Sequence, residues 1–349
     1  MRLAVVNDVA MICALLARAI EEHTEHSVCW TAADGAEAVE RCGVDTPDMV
    51  LMDLLMPNMD GVEATRRIME RSPCAILVVT ATVSGHADQV FQAMAAGALD
   101  AINTPVMRGR GAAEGLDILL RKIASVDRLL QRTPGAEPAL PRARPKGCKA
   151  GLPLVALGSS TGGPGALASI LAALPADLPA AVVVVQHVDP EFMASMASWL
   201  DRQTPLQVRL ARSGDVPRQG EVLVAGSADH LAVAPDGRLR YTPTPSDYAY
   251  RPSVNVFFES AAAFWPRRVV GVLLTGMGRD GAAGLLALRR RGMITIAQSQ
   301  DSCAVYGMPK AAVELDAASR VLHLNQIATA IGEAVLDDTA ALSGQGERR

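Results

Sequence analysis

Short apolar runs, each followed by a segment of helical period, recur along this chain in two blocks. That alternation limits it to folds built on parallel sheets with helices laid against them. In the first block, about residues 1–130, the candidate strands are LAVV (3–6), MVLMD (49–53), AILVVT (75–80) and LDAIN (99–103). Ile12, Leu15, Leu16, Ala19 and Ile20 give the helix after the first of them one apolar face. In the second block, about 152–336, they are LPLVALG (152–158), AAVVVVQ (180–186), EVLVAG (221–226), RVVGVLLTG (268–276) and MITIAQ (293–298). Between the blocks, TPGAEPALPRARPKGCKAG (133–151) has no sustained period and reads as a solvated tether. The sequence thus predicts an α/β protein: two doubly wound parallel-sheet domains joined by a linker. The expected boundaries are 1–125 for the first domain, 126–151 for a helix extension and linker, 152–340 for the second domain, and 341–349 for a flexible tail.

Composition narrows the function. The 349 residues are 50% hydrophobic and 20% charged, enough apolar material for two packed cores. Aromatics make up only 3% and the net charge is −4, so neither base stacking nor phosphate-backbone binding is expected, and no nucleic-acid partner. Six scattered cysteines without a CxxC pair point to reduced thiols rather than a disulfide framework or zinc site. No apolar run approaches the roughly 20 residues that span a bilayer, so membrane insertion is not expected. The opening MRLAVVND becomes charged too early for a signal peptide, and a cytoplasmic location is the expectation.

In open parallel sheets function collects at the carboxyl ends of strands. The first block places Asn7 and Asp8, Asp53, Thr80, and Asn103-Thr104-Pro105 there. Two carboxylates at adjacent strand ends suit Mg²⁺, which takes hard oxygen ligands. A metal beside Asp53 would orient a phosphoryl donor and screen its charge, so that this carboxylate attacks phosphorus. Each acid by itself is equally well explained as a helix cap or strand end. Together VVND, LMDLLMPNMDG, VVTAT and GALDAINTP resemble a response-regulator receiver domain, a flavodoxin-like fold. The resemblance implies Asp53 as phospho-acceptor, Asp8 with Asp53 as metal ligands, Thr80 as switch hydroxyl, and Mg²⁺ as the cofactor of phosphorylation. Three positions depart from the pattern. Asn7 stands for one of two acids, though its carbonyl oxygen remains available to a metal. Thr104 stands for the phosphate-contacting lysine, and Ala101 for the switch aromatic.

The second block opens on GSSTG (158–162), a G-x-S-x-G pattern between a strand and a helix. Such a turn lifts its central hydroxyl, here that of Ser160, out of the backbone, with glycines relieving the crowding. Lysine is missing for a P-loop, and the spacing is wrong for a dinucleotide loop. A serine nucleophile needs a base and an orienting acid. His187 directly follows AAVVVVQ at a strand end, and His230 in SADHLAV is the second candidate. Asp280 lies in the turn of VVGVLLTGMGRDGAAG, where capping the helix from Ala282 is the plain alternative. Met277, between two glycines, could turn its backbone N–H toward the site. The order Ser, His, Asp is not that of the α/β-hydrolases.

GSSTGGP, VVVQHV, RPSVNVFF (251–258), TGMGRDGA and QSQDSCAVYGMP (298–309) together resemble the catalytic domain of CheB-type protein-glutamate methylesterases, a Rossmann-like domain. The resemblance implies Ser160, His187 and Asp280 as catalytic triad, the Met277 N–H in the oxyanion hole, and Thr161 beside the nucleophile. A receiver followed by this domain is the architecture of that family. The departures in the receiver resemble the WspF-like subgroup of Wsp surface-sensing systems. The activity implied is phosphorylation-regulated hydrolysis of glutamyl methyl esters on methyl-accepting chemoreceptors to glutamate and methanol, with deamidation of receptor glutamines alongside. Hydrolysis would need no cofactor. A CheA-type histidine kinase would supply the phosphoryl group, and the protein would be a monomer. The other reading is a phosphorylation-dependent adaptor with a vestigial triad.

Overall fold

The computed structural model describes residues 1–81, 84–105, 112–130, 152–188, 190–246, 248 and 250–346. The linker expected at 133–151 lies outside them. The chain divides into two compact units, Met1–Pro138 and Ala139–Arg349, each described by itself below.

The first unit has strands β1 (Arg2–Val6), β2 (Ser27–Ala32), β3 (Met49–Met52), β4 (Ala75–Thr80) and β5 (Asp100–Asn103), all parallel in the order β2-β1-β3-β4-β5. Helices α1 (Ala10–His23), α2 (Gly35–Val44), α3 (Gly61–Arg71), α4 (Ala87–Ala95) and α5 (Ala112–Leu130) connect and follow them. Every residue of β3 is buried, as expected for a strand covered on both faces. Asp34 and Asp60 start α2 and α3 by accepting hydrogen bonds from the N–H groups of Glu37 and Glu63. This is the flavodoxin-like order, and it sets the carboxyl ends of β1, β3 and β4 side by side. The sequence reading passed over β2 because SVCWTA, an edge strand with Ser27 and Thr31 exposed, shows no long apolar run.

In the second unit seven parallel strands run β14-β13-β12-β6-β7-β9-β8. They are β6 (Leu154–Ser159), β7 (Ala181–Gln186), β8 (Gln207–Leu210), β9 (Glu221–Val224), β12 (Val269–Leu273), β13 (Ile294–Gln298) and β14 (Arg320–Leu322). A separate antiparallel pair, β10 (His230–Val233) and β11 (Leu239–Thr242), precedes β12. The helices are α6 (Gly163–Ala173), α7 (Pro190–Asp201), α8 (Val254–Phe264), α9 (Ala282–Arg290), α10 (Met308–Glu314) and α11 (Leu324–Gly346). The four strands absent from the sequence reading are the two edges, β8 and β14, and the small pair. All are of three or four residues, too short to establish a period.

The sheet grows from β6 to β7 on one side and restarts at β12 on the other. A topological switch point therefore lies between β6 and β12, where open α/β sheets leave a crevice. Helix α8 is packed tightly over the end of β6. A Cβ on Gly158 would lie 2.3 Å from Val254 Cγ1 and 3.2 Å from Phe258 Cζ, so only glycine permits the approach. Phe257 and Phe258 are fully buried in that core.

Helix α11 runs to Gly346; 347–349 lie outside the described residues. No proline interrupts the run from Leu324, and its alanines and leucines favour helix. Among the described residues no helix is long and apolar enough to cross a membrane.

Truncating Phe258 to alanine should destabilise the second unit by about 3–5 kcal/mol. Denaturant unfolding of the full chain checks this, with the first unit's transition as an unmoved internal reference.

Candidate active site

Three strands that lie side by side, β12, β6 and β7, each deliver one chemically distinctive residue at the carboxyl end. Ser160 follows β6, His187 follows β7, and Asp280 lies in the turn after β12. Ser160 is held through its backbone. Its N–H donates to Thr275 O at 3.1 Å, and its carbonyl accepts from Gly163 N at 2.7 Å and Gln186 Nε2 at 2.7 Å. Gln186 also donates to His187 O at 2.9 Å and accepts from Ser159 Oγ at 2.5 Å, so one buried amide ties the serine turn to the histidine turn. A Cβ on Gly163 would fall 1.9 Å from Gln186 Oε1, which is why glycine opens α6. The left-handed residue of the turn is Gly162 (φ +75°), a conformation glycine takes without the strain a side chain would bring. Ser160 is 7% exposed, a floor residue rather than the lifted group the pattern suggests.

His187 and Asp280 form a buried pair, with Nε2 2.8 Å from Asp280 Oδ2 and side chains 8% and 6% exposed. The carboxylate lies at the N-terminus of α8. Oδ1 accepts from Ser253 Oγ at 2.8 Å and Asn255 N at 3.0 Å, and Oδ2 also accepts from Val254 N at 2.6 Å. Asp280 does cap a helix, but it is α8 and not its own. The N-cap of α9 is Gly281, with φ +87°. Burial by itself would raise this carboxyl; the hydrogen bonds from His187, Ser253 and Asn255 and the charge of His187 outweigh it and hold the group below its ordinary value. Its negative charge in turn helps burial push Glu259 upward.

With Nε2–H given to the carboxylate, Nδ1 is the acceptor nitrogen of the ring. It is buried and makes no hydrogen bond among the described residues. This reverses the ring from the serine-protease arrangement, in which the acid meets Nδ1. Beside it, a Cβ on Gly276 would lie 2.7 Å from Ser160 Cβ, so the glycine turn that follows β12 abuts the serine directly. The Met277 N–H on that turn makes no hydrogen bond among the described residues. Thr161 is half-buried, its carbonyl accepting from Thr275 Oγ1 at 2.9 Å. Such a set can activate a hydroxyl, hold an imidazolium and offer a backbone donor to an oxyanion.

His230, the other candidate base, is fully buried. Its Nδ1 accepts from Ser253 N at 3.1 Å and its Nε2 donates to Pro245 O at 2.9 Å. Both nitrogens are used, and the ring supports the residue that holds Asp280. Ser253, Gln186, Thr275 and Tyr250 are site residues the sequence reading did not single out. Ser253 lies inside RPSVNVFF, but a serine immediately ahead of an apolar helix signals an N-cap before it signals a carboxylate ligand.

In the first unit, Asp53 follows β3 and Thr80 ends β4, with its hydroxyl buried. Asp53 Oδ1 accepts from Leu54 N at 2.7 Å and Oδ2 from Asn7 Nδ2 at 2.8 Å. Burial raises the Asp53 carboxyl, and the nearby charge of Asp8 adds to it against the hydrogen bond of Leu54. Two exposed-to-half-buried carboxylates repelling one another are hard oxygen donors that a divalent cation would reconcile, so Asp8 and Asp53 fit Mg²⁺. The side-chain carbonyl of Asn7 accepts from Val9 N at 2.9 Å, and its amide nitrogen donates to Asp53 Oδ2 at 2.8 Å. Among the described residues no group of three or more His, Cys, Asp or Glu side chains could hold a metal, so water would complete such a site.

A serine, an imidazole and a buried carboxylate at neighbouring strand ends are the groups of a hydrolase-class domain, here preceded by a receiver-type domain. Residues 155–331 match the family described as CheB methylesterase, and residues 3–113 match the response regulator receiver domain. The chain belongs to the CheB methylesterase family. It is 55% identical over 328 residues to a protein-glutamate methylesterase/protein-glutamine glutaminase of Cupriavidus metallidurans, covering 94% of this chain and 96% of that one. A protein of the same description from Pseudomonas aeruginosa is 51% identical over 335 residues, covering 95% and 99%. The crystal structure of the Thermotoga maritima CheB methylesterase catalytic domain aligns at 35% identity and a TM-score of 0.50, covering 54% of this chain and all of that one.

The ionised Asp280 stabilises the fold above its ordinary value of 3.8, and that contribution is lost as pH falls through its lower folded value. The thermal midpoint of the second unit should therefore drop on acidification below 3.8, with a shallower acid slope in Asp280→Asn. An equal slope in both would show that the carboxylate is not held by its ionised form.

Proposed function

We propose that Ser160, His187 and Asp280 are the catalytic triad of a phosphorylation-regulated protein-glutamate methylesterase. The buried His187–Asp280 pair, with its carboxylate fixed by the α8 N-terminus and Nδ1 left open, is the observation that carries this reading. Ser160 Oγ attacks the γ-ester carbonyl of a methylated receptor glutamate while His187 Nδ1 takes its proton. Asp280 holds the Nε2–H tautomer and stabilises the imidazolium. The tetrahedral oxyanion takes the Met277 N–H, a donor of a kind worth about 3–4 kcal/mol. Collapse breaks the C–OCH₃ bond, and methoxide leaves as methanol with the proton from Nδ1. Water then attacks the acyl-serine, its proton passing to Nδ1 and on to Ser160 Oγ, and glutamate is released. A receptor glutamine follows the same path with ammonia as the leaving group, which supports deamidation as a second activity.

The first domain supplies control. Asp8 and Asp53 would hold Mg²⁺, whose charge screens the incoming phosphoryl group. Asp53 Oδ2 must then leave the Asn7 amide to accept phosphorus from the donor, a histidine kinase of the CheA type. Phospho-Asp53 engages the Thr80 hydroxyl and raises the esterase activity. The substrate is a methyl-accepting chemoreceptor.

Ser160→Ala should reduce methanol release from a methylated chemoreceptor by at least about a thousandfold while leaving phosphoryl uptake intact. An adaptor would keep its effect with this substitution. Acetyl phosphate with Mg²⁺ should raise the activity of the native chain but not that of Asp53→Asn, which should also take up no label; labelling of the variant would overturn Asp53 as acceptor.

A further inference from the structure

Tyr250 stacks on His187 with ring centroids 4.3 Å apart and planes within 3° of parallel. The triad chemistry leaves it without a task. It sits three residues before Ser253, on the segment that leads into α8 and so to the Asp280 clamp. Its phenol end reaches the turn after β12. A Cβ on Gly278 would lie 3.3 Å from Tyr250 Oη, at a φ of +84° that glycine alone adopts freely. One ring therefore spans from the imidazole to the glycine turn that carries Met277.

The geometry has an electrostatic consequence. Two neutral aromatic rings stacked face to face set like quadrupoles against each other and prefer to slide or tilt. The same stack becomes attractive when one ring is a cation. His187 becomes a cation only after it takes the Ser160 proton, so the contact strengthens on the way to the transition state. That is the condition for an interaction to accelerate rather than merely bind. The stack also fixes the plane of the ring, keeping Nε2 on Asp280 and Nδ1 open.

Among the described residues, Asp280 faces the ring edge and Tyr250 one of its faces. Glu259, on α8, acts on Asp280. Arg279, beside Asp280, is turned to Glu314 at 3.1 Å, and Arg251, beside Tyr250, to the Ser246 carbonyl.

We infer that Tyr250 is a positioning residue for the catalytic histidine, holding its plane and favouring its imidazolium form. This rests on His187 being the base. The test compares the full-length native protein with Tyr250→Phe and Tyr250→Leu, all activated with acetyl phosphate and Mg²⁺. It reads methanol release from a methylated chemoreceptor and the rate of covalent labelling of Ser160 by a fluorophosphonate. The phenylalanine variant keeps the π face and should stay within about twofold of native kcat. The leucine variant should lose kcat about tenfold with KM little changed, and label more slowly by a similar factor. The acid limb of its kcat profile should move to lower pH, because the imidazolium has lost support. Tyr250→Met replaces the leucine variant if that one does not fold. Native kcat in the aliphatic variant, a loss confined to KM, or an equal loss in Tyr250→Phe would overturn the proposal. Ser160→Ala and His187→Gln run beside them separate the two failures. Activity retained there refutes the base itself, whereas activity lost there but kept in Tyr250→Leu refutes only the stack.

Discussion

An ionised carboxylate in a protein interior needs compensation, and the whole catalytic domain is arranged around supplying it to Asp280. Four donors converge on its two oxygens: an imidazole, a serine hydroxyl and two backbone N–H groups at the start of α8. The helix terminus contributes both its unsatisfied N–H groups and its positive dipole end. That fixed charge then sets the tautomer of His187, and the tautomer leaves Nδ1 as the acceptor nitrogen. Breaking any one of these contacts would leave a buried charge underpaired, so the site's order is enforced by the same energy that would be lost with it.

The clamp in turn explains details of packing that look incidental. Gly158 and Gly281 let α8 descend onto the end of β6, a Cβ at either one meeting Val254. His230, with both ring nitrogens engaged, holds the Ser253 backbone at the mouth of that helix. Gln186 links the serine and histidine turns across neighbouring strands. The parallel sheet makes this possible, since a central strand with one neighbour on each side brings three strand ends side by side.

In the receiver domain the balance runs the other way: Asp53 is only partly satisfied and is raised by burial and by Asp8. The amide of Asn7 supplies one weak, neutral contact where a second acid would have added repulsion. A charge-neutral donor of this kind yields more easily than an ion pair would.

Much of this was legible in the residue order. The parallel α/β architecture follows from short apolar runs alternating with amphipathic segments, because strands covered on both faces must be apolar throughout. Ser160, His187, Asp280, Asp53 and Thr80 could be named because each stands just past such a run, where a chain leaving a sheet exposes function. The short edge strands and the β10–β11 pair could not be read, being too brief to show a period. Nor could the partners of Asp280, since a residue 27 positions away that caps a different helix leaves no local trace. The partners of the Asn7 side chain, the nitrogen of His187 that faces the acid, and the stacking of Tyr250 were likewise decided only by tertiary structure. The sequence determined which groups stand at the strand ends; folding decided which of them meet, because contact across a sheet depends on strand order and not on distance along the chain.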